Sequence, residues 1–185
     1  DIAGLCARTD QISNPWMSPA GLNRGQLLNV NKVAIEPSRP GRDRLYQESI
    51  NPIISEEGGY VLWGDKTGTK VQSPFDRVNV RRLFNMVKKA IGDASKSKVF
   101  EINNAFSRNS FFTETSQYLA GIKTDGGVYD FRVICDTTNN TPAVIDRNEF
   151  VAVFRLKPAR SINFITLNFV ADATGTNFDE VIGKS

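Results

Sequence analysis

The chain has 185 residues, of which 40% are hydrophobic and 23% charged, and its formal net charge at pH 7 is +3. These values are typical of one folded domain with a hydrophobic core and argue against disorder. No apolar run approaches the roughly 20 residues that a membrane-spanning helix needs, so membrane insertion is not expected. The absence of histidine excludes Ser–His and Cys–His nucleophilic machinery and histidine-based metal sites.

The first 49 residues differ in pattern from the rest of the chain. DIAGLCARTDQIS predicts a short helix, after which the prolines and glycines of NPWMSPAGLNRG interrupt the periodicity. A short apolar piece, LLNVNKVAI, is followed by EPSRPGRDR, which indicates a loop. We therefore expect residues 1–49 to form an extended linking segment with a short helix. Because the chain begins with Asp-Ile-Ala-Gly rather than Met, we also expect it to be part of a longer protein.

Regular patterns begin at residue 50. INPIIS and GYVLWG, separated by EEGG, predict a β-hairpin. FDRVNVRRLFNMVKKAIGDASKS predicts a helix capped by Asp76, because its apolar residues recur every three or four positions. VFEIN indicates a short extended piece, and NAFSRNSFFTETSQYLAGI predicts a second helix. The expected buried positions of the first helix are Val80, Leu83, Phe84, Val87 and Ile91.

Three strands are predicted in the last third of the chain: VYDFRVIC, FVAVFRLK and SINFITLNFVA. In the first of them Tyr129, Phe131, Val133 and Cys135 share one face. The predicted fold class is α+β, a two-layer domain in which a mixed, mostly antiparallel sheet carries two main helices on one face. An extended N-terminal segment precedes this core domain, which spans residues 50–173, and a C-terminal arm follows at 174–185.

The predicted arm, TGTNFDEVIGKS, places three apolar residues after a flexible Thr-Gly-Thr, namely Phe178, Val181 and Ile182. So few apolar residues cannot fold alone, but they could complete a sheet in another subunit by strand addition. A frayed terminus is the alternative interpretation. Cys6 and Cys135 lie far apart and are expected to be free thiols, although one disulfide between them is possible.

Within GDKTGTK, the residues DKTGT resemble the phosphorylation signature of P-type ATPases, with Asp65 as the nucleophile. TDGGVYD is loosely similar to the magnesium loop of the same enzymes. Those enzymes use a doubly wound parallel sheet, whereas two helices followed by three strands break that alternation. We favour a strand end running into a turn, where Gly64 and Gly68 permit the bend. An aspartyl phosphotransferase or phosphatase using Asp65 remains the alternative.

No catalytic, cofactor-binding or metal-binding residue is assigned. Asp136, Asp146 and Glu149 could bind a hard cation, but a polar turn before a helix at Pro142 explains them better. Basic residues cluster on the first long helix, and a solvated helix face is the simplest explanation. A docking surface for an acidic partner is a sharper one, and a nucleic-acid-binding module is a further alternative without a recognised fold to support it. The candidate docking residues are Arg77, Arg81, Arg82 and Lys88.

Several segments, in order along the chain, resemble one family. They are DIAGLCARTD, LNRG, INPI, VLWGDKT, VNVRRLF, VFEIN, YDFRVICD with NNTP, and KPARSINFITLNF. Together they closely resemble the C-terminal half of contractile tail sheath proteins from myovirus-type bacteriophages, which are related to contractile bacteriocin and type VI secretion sheaths. The resemblance covers essentially the whole chain, and the order of the segments is its most specific feature.

The resemblance implies a structural protein of the virion rather than an enzyme, with no cofactor. Sheath subunits assemble in the host cytoplasm as hexameric rings stacked helically around the tail tube, and the array contracts to drive the tube through the host envelope during genome delivery. The implied partners are other copies of the subunit, the tail tube protein, and the baseplate and tail terminator proteins, with no direct nucleic acid. The resemblance also implies that this region faces the tube and carries the arms that link neighbours.

Overall fold

The computed structural model describes residues 1–56 and 58–167. These residues contain helices α1 (Ile2–Ile12), α2 (Arg39–Gln47), α3 (Val78–Lys96), α4 (Ala105–Thr124) and α5 (Pro142–Asp146), and strands β1 (Gln26–Leu27), β2 (Ile53–Glu56), β3 (Gly59–Leu62), β4 (Val128–Ile134) and β5 (Val153–Pro158). The predicted α+β class and the antiparallel pairing are confirmed. The strands, however, form two small sheets rather than a single one.

The first sheet has the strand order β1-β3-β2 and is antiparallel throughout. It contains the predicted hairpin, in which Ile53 of β2 lies opposite Leu62 of β3. Gly58 in the connecting turn has a φ of +80°, a conformation that glycine adopts without steric cost. Strand β1 pairs with the other edge of β3, so the N-terminal part of the chain joins this sheet.

Residues 1–49 are therefore less extended than the sequence indicated. The predicted helix is confirmed as α1, and Leu5 and Leu27 form a small core with Leu62 of β3. EPSRPGRDR is not simply a loop, because α2 begins at Arg39 within it. Pro40 lies in the first turn of α2, where its missing N–H and fixed φ are tolerated.

The larger core is formed by α3, α4 and the sheet of β4 and β5. Both long helices are confirmed. Of the stripe predicted for α3, Val80, Leu83 and Val87 are buried, whereas Phe84 and Ile91 are only partly buried. Trp16 from the N-terminal segment packs into the same core, which ties the two parts of the chain together. The buried members of this core are Trp16, Leu83, Val87, Phe111, Leu119, Ile122, Val128, Val133 and Cys135.

Three local predictions in this part are wrong. Arg77, and not Asp76, is the N-cap of α3, because the helix begins one residue later than expected. VFEIN is a turn between the helices rather than an extended piece, with Phe100 at a φ of +71°. Tyr129 is 70% exposed, because a register shift between Val128 and Asp130 turns Val128 to the core in its place.

The third predicted strand, SINFITLNFVA, does not form in the residues that the structure describes. Residues 161–167 follow β5 without helical or strand assignment, and the remainder of the predicted strand lies outside the described residues. Main-chain groups can form a strand only beside a partner strand, so alternation alone does not guarantee one. No helix in the described ranges is long and apolar enough to cross a membrane.

Candidate functional site

Five polar side chains meet where the chain leaves β5. Asp65 follows β3, Tyr46 lies near the end of α2, and Arg77 is the N-cap of α3. Ser161 and Asn163 come from the segment after β5. We call these five residues the Asp65 cluster. They join four different elements of the fold, over sequence separations of up to 117 residues.

Asp65 is the buried centre of the cluster, with only 3% of its surface exposed. The Ser161 hydroxyl donates a hydrogen bond to Oδ2 of Asp65, and Nε of Arg77 lies 4.0 Å from Oδ1. The main chain of Asp65 also takes part, because its carbonyl accepts a 2.7 Å hydrogen bond from the N–H of Val78. A buried carboxylate requires such partners, since an isolated buried charge is strongly unfavourable.

Asn163 connects the cluster to Arg77 and Tyr46. The amide orientation that satisfies its polar neighbours places the Asn163 oxygen 3.1 Å from Nε and 3.3 Å from Nη2 of Arg77, both of which donate to it. The Tyr46 hydroxyl lies 2.9 Å from the same side chain and 3.4 Å from Oδ1 of Asp65. Burial, reinforced by the negative charge of Asp65, raises the pKa of Tyr46 to about 12.

The GDKTGTK segment lies beside this cluster and bends at Gly68, and Lys66 forms an isolated antiparallel bridge with Arg77. Asn51 binds the main chain of Lys66 on both sides, donating to its carbonyl at 2.8 Å and accepting from its N–H at 2.9 Å. A Cβ at position 64 would lie 2.7 Å from Oδ1 of Asn51, so glycine is needed there for close approach rather than for a bend. The predicted turn in TDGGVYD is also present, with Gly126 at a φ of +76°.

These contacts do not support an aspartyl nucleophile. The Asp65 carboxylate is buried, and its oxygens face Ser161, Tyr46 and Arg77. A cleft of about 270 Å³ borders Asp65, and its lining is mostly aliphatic. The cleft lining contains no lysine or arginine that could steady a phosphoryl group. Asp65 therefore acts as a structural carboxylate in this fold.

The structure divides the four predicted docking residues into two pairs. Arg77 belongs to the Asp65 cluster, and Arg82 donates to the carbonyl of Cys6 at 2.9 Å and to the carboxylate of Asp10 on α1. Arg81 and Lys88, by contrast, are exposed on α3. Arg81 also lies over the ring of Phe75, 4.7 Å from its centroid. Of the four predicted docking residues, only Arg81 and Lys88 are therefore exposed.

The acidic residues around α5 form local contacts. The Thr138 side chain and main-chain N–H donate to Asp136, which lowers the pKa of that carboxyl. Hydrogen bonds from Arg147 lower the pKa of Glu149. These contacts agree with the polar turn expected before Pro142. Across residues 1–56 and 58–167, no group of three His, Cys, Asp or Glu side chains is placed to hold a metal ion.

The segment after β5 exposes its apolar side chains. Ile162 and Phe164 are 82% and 81% exposed, whereas Ser161 and Asn163 between and beside them are half-buried. Sequence reasoning missed Tyr46, Ser161 and Asn163, although the two polar residues Ser161 and Asn163, separated by one apolar residue, were a signal that one face meets a polar surface. The predicted arm residues Phe178, Val181 and Ile182 lie outside the described residues.

Two family models match the sequence. The model described as the phage tail sheath protein central domain matches residues 1–68, and the phage tail sheath C-terminal domain matches residues 70–172. The boundary between them falls in the GDKTGTK segment. The second match alone covers more than half of the chain.

Individual relatives agree with these models. The chain is 69% identical over 184 residues to the tail sheath protein of Enterobacteria phage T4, covering 99% of this chain and 28% of that protein. It is 61% identical to the tail sheath protein of Vibrio phage KVP40, covering 99% of this chain and 27% of that protein. The chain thus spans between a quarter and a third of the length of these relatives.

Solved structures share the fold. One is a cryo-EM structure of the anti-feeding prophage baseplate, with a TM-score of 0.83 and 25% identity, covering 93% of this chain and 49% of that chain. Another is the sheath complex of an extracellular contractile injection system in the contracted state, with the same TM-score and identity, covering 92% and 50%. The family models, the relatives and the solved structures agree. The chain belongs to the phage tail sheath family.

Proposed function

We propose that the chain is a structural part of a contractile phage tail sheath, and that it works by assembly rather than by catalysis. The observation that carries this proposal is its high identity to tail sheath proteins along nearly its whole length. In this role, copies of the subunit form hexameric rings that stack helically around the tail tube. Contraction of the array drives the tube through the host envelope, and the baseplate supplies the signal.

The proposed link between subunits is strand addition. Among residues 1–56 and 58–167, β1 and β2 are the edges of the first sheet and β4 and β5 form a two-stranded sheet, so these residues leave several sheet edges without a strand partner. Added strands would satisfy these groups while alternate side chains fill pockets. Residues 174–185, with Phe178, Val181 and Ile182, are the proposed arm that supplies such a strand.

Contraction then requires two stable packings of the same subunits. The buried contacts that join α1, α3 and the two cores make the described body a unit that can move as a whole. The arms would remain bonded while the bodies rotate and form new contacts, which is a recognised class of transition. Electrostatic contacts from Arg81 and Lys88 to an acidic tube or to a neighbouring subunit would stabilise the packing before contraction.

The experiment that tests this function is polymer formation by the sheath protein that carries this chain. We expect negative-stain microscopy to show long tubular polymers. Replacing Phe178, Val181 and Ile182 with alanine, or deleting residues 174–185, should block polymerisation while the subunit stays folded.

A matched control replaces the intervening polar residues Asn177, Asp179 and Glu180 with alanine, and it should polymerise normally. Tubes of normal length from the apolar variant would overturn the assignment of the arm. A wild-type protein that forms no polymer with or without tail tubes would overturn the proposed function itself.

A further inference from the structure

From Ser161 to Phe164, the two polar side chains point toward the body formed by residues 1–160 and the two apolar side chains point toward solvent. Ser161 and Asn163 are half-buried in the Asp65 cluster, while Ile162 and Phe164 are more than 80% exposed. Such alternation is that of an extended chain with a period of two. A core strand would have the opposite arrangement, so the exposed apolar face is placed for a surface outside this body.

The inward face is held by contacts of several kinds. Ser161 donates to the buried carboxylate of Asp65, and the Asn163 oxygen accepts from the Arg77 guanidinium. Hydrogen bonds to charged groups are stronger than those between neutral groups. The neutral hydroxyl of Tyr46 lies 2.9 Å from the Asn163 side chain. Three parts of the fold, represented by Asp65, Arg77 and Tyr46, therefore contact two residues of the segment.

The main chain just before this point is held as well. The N–H of Ala159 donates to the carbonyl of Gly127 at 3.1 Å, and Nδ2 of the buried Asn79 donates to the carbonyl of Ala159 at 3.3 Å. Asn79 is 4% exposed and also donates to the carbonyl of Trp16. From Ala159 to Asn163 the path of the chain is therefore fixed at both its main chain and its side chains.

We propose that the Asp65 cluster is an anchor that sets the direction in which the segment from Ser161 leaves the body, so that Ile162 and Phe164 face a second copy of this chain. This inference rests on the proposed assembly, and it assigns positioning roles to Asp65, Tyr46 and Arg77. A second copy is the occupant because the described part of this one chain contains both extended, exposed apolar residues and sheet edges without a strand partner. A fixed exit direction lowers the conformational entropy that would otherwise be lost when the segment pairs.

The test measures the direction of the segment in the unassembled chain. Spin labels are attached to the full chain at Phe164→Cys and at Lys88→Cys on α3, in a Cys6→Ser background, with the buried Cys135 left in place. We expect one narrow distance distribution. The variant Ser161→Ala/Asn163→Ala should broaden it, because loss of one hydrogen bond to a charged group increases the detached population by about tenfold or more.

Thr166→Ala is the matched control, since Thr166 is exposed in the same segment. It should leave the distribution narrow, and all variants should show the same unfolding of the body by circular dichroism. A broad distribution in the unmodified chain, or an unchanged one in the double variant, would overturn the anchor.

Polymer growth is measured in parallel in the sheath protein that carries this chain. The double variant should polymerise more slowly than the Thr166→Ala control. If its segment detaches but its polymer growth is normal, the positioning role is wrong, while the family's assembly function stands.

Discussion

Arg81 and Arg82 are adjacent on α3 but lie in different surroundings, and replacing each with alanine should affect stability differently. The Arg82 side chain is 15% exposed and donates to the Cys6 carbonyl and the Asp10 carboxylate. Losing a hydrogen bond to a charged group costs about 1.5–3 kcal/mol. The ion pair itself adds little, because Asp10 is 48% exposed. We therefore expect Arg82→Ala to reduce the free energy of unfolding by about 2 kcal/mol.

Arg81→Ala removes only the contact between an exposed guanidinium and Phe75, which is worth about 0.5–1 kcal/mol. Urea unfolding followed by tryptophan fluorescence measures both variants, and thermal unfolding should show a Tm lowered by about 4–8 °C for Arg82→Ala. Equal stabilities for the two variants, or a larger loss for Arg81→Ala, would refute the division of the basic helix into structural and docking residues.

Arg81→Glu reverses the exposed charge that is proposed to contact an acidic tube. It should reduce co-sedimentation of the sheath protein with tail tubes, and this reduction should become smaller as the salt concentration rises, because salt screens the charge. The exposed residue Lys32, changed to Glu, is the charge-matched control on a different surface and should bind as the unmodified protein does. Loss of tube binding in both variants would instead indicate a general effect of net charge.

Two further predictions concern the body. Gly127→Ala would place a methyl group 2.7 Å from Cγ2 of Ile122 and 2.9 Å from Cδ2 of Trp16, so it should cost about 1–3 kcal/mol of unfolding free energy in a urea titration. At Gly121 on α4, the described residues leave room for a methyl group, so Gly121→Ala should raise the free energy of unfolding by up to about 1 kcal/mol. A decrease in the free energy of unfolding as large as that of Gly127→Ala would contradict this expectation. The pKa of Tyr46 is raised from 10.0 to about 12 in the folded chain, so its contribution to stability is complete below pH 10 and is lost as the pH rises toward 12. Tyr46→Phe should weaken the decline in stability over that window, and an unchanged pH profile would mean that the hydroxyl is not buried in the cluster.

The elements that sequence reasoning predicted well are those set by local pattern. The stripe from Val80 to Ile91 identifies α3, and the EEGG turn identifies the hairpin of β2 and β3. Helix α2 lacks such a stripe: its residues are mostly polar, and Tyr46 from its last turn reaches the Asp65 cluster instead of an apolar core. Local helix propensity therefore does not predict α2, which instead makes tertiary contacts through Tyr46.

The candidate site was harder to predict because its members are far apart in sequence. Asp65 was recognised as a notable residue, but its partner Ser161 is 96 positions away. Nothing local distinguishes Arg82, which binds α1, from Arg81, which faces solvent. On a helix, neighbouring residues differ by about 100° in direction, so the burial of one says little about the next. The prediction of a third strand failed for a similar reason, because alternating apolar residues indicate an extended chain but do not identify the strand with which it pairs.

We propose that this chain acts by giving an apolar extended segment to a neighbouring copy. Hydrogen exchange of the main-chain amides of residues 162–167, measured in the dispersed sheath protein and in its polymer, is the decisive test. We expect fast exchange in the dispersed protein and strong protection in the polymer, while the amides of α4 are protected in both states. Equally fast exchange of residues 162–167 in the two states would contradict it.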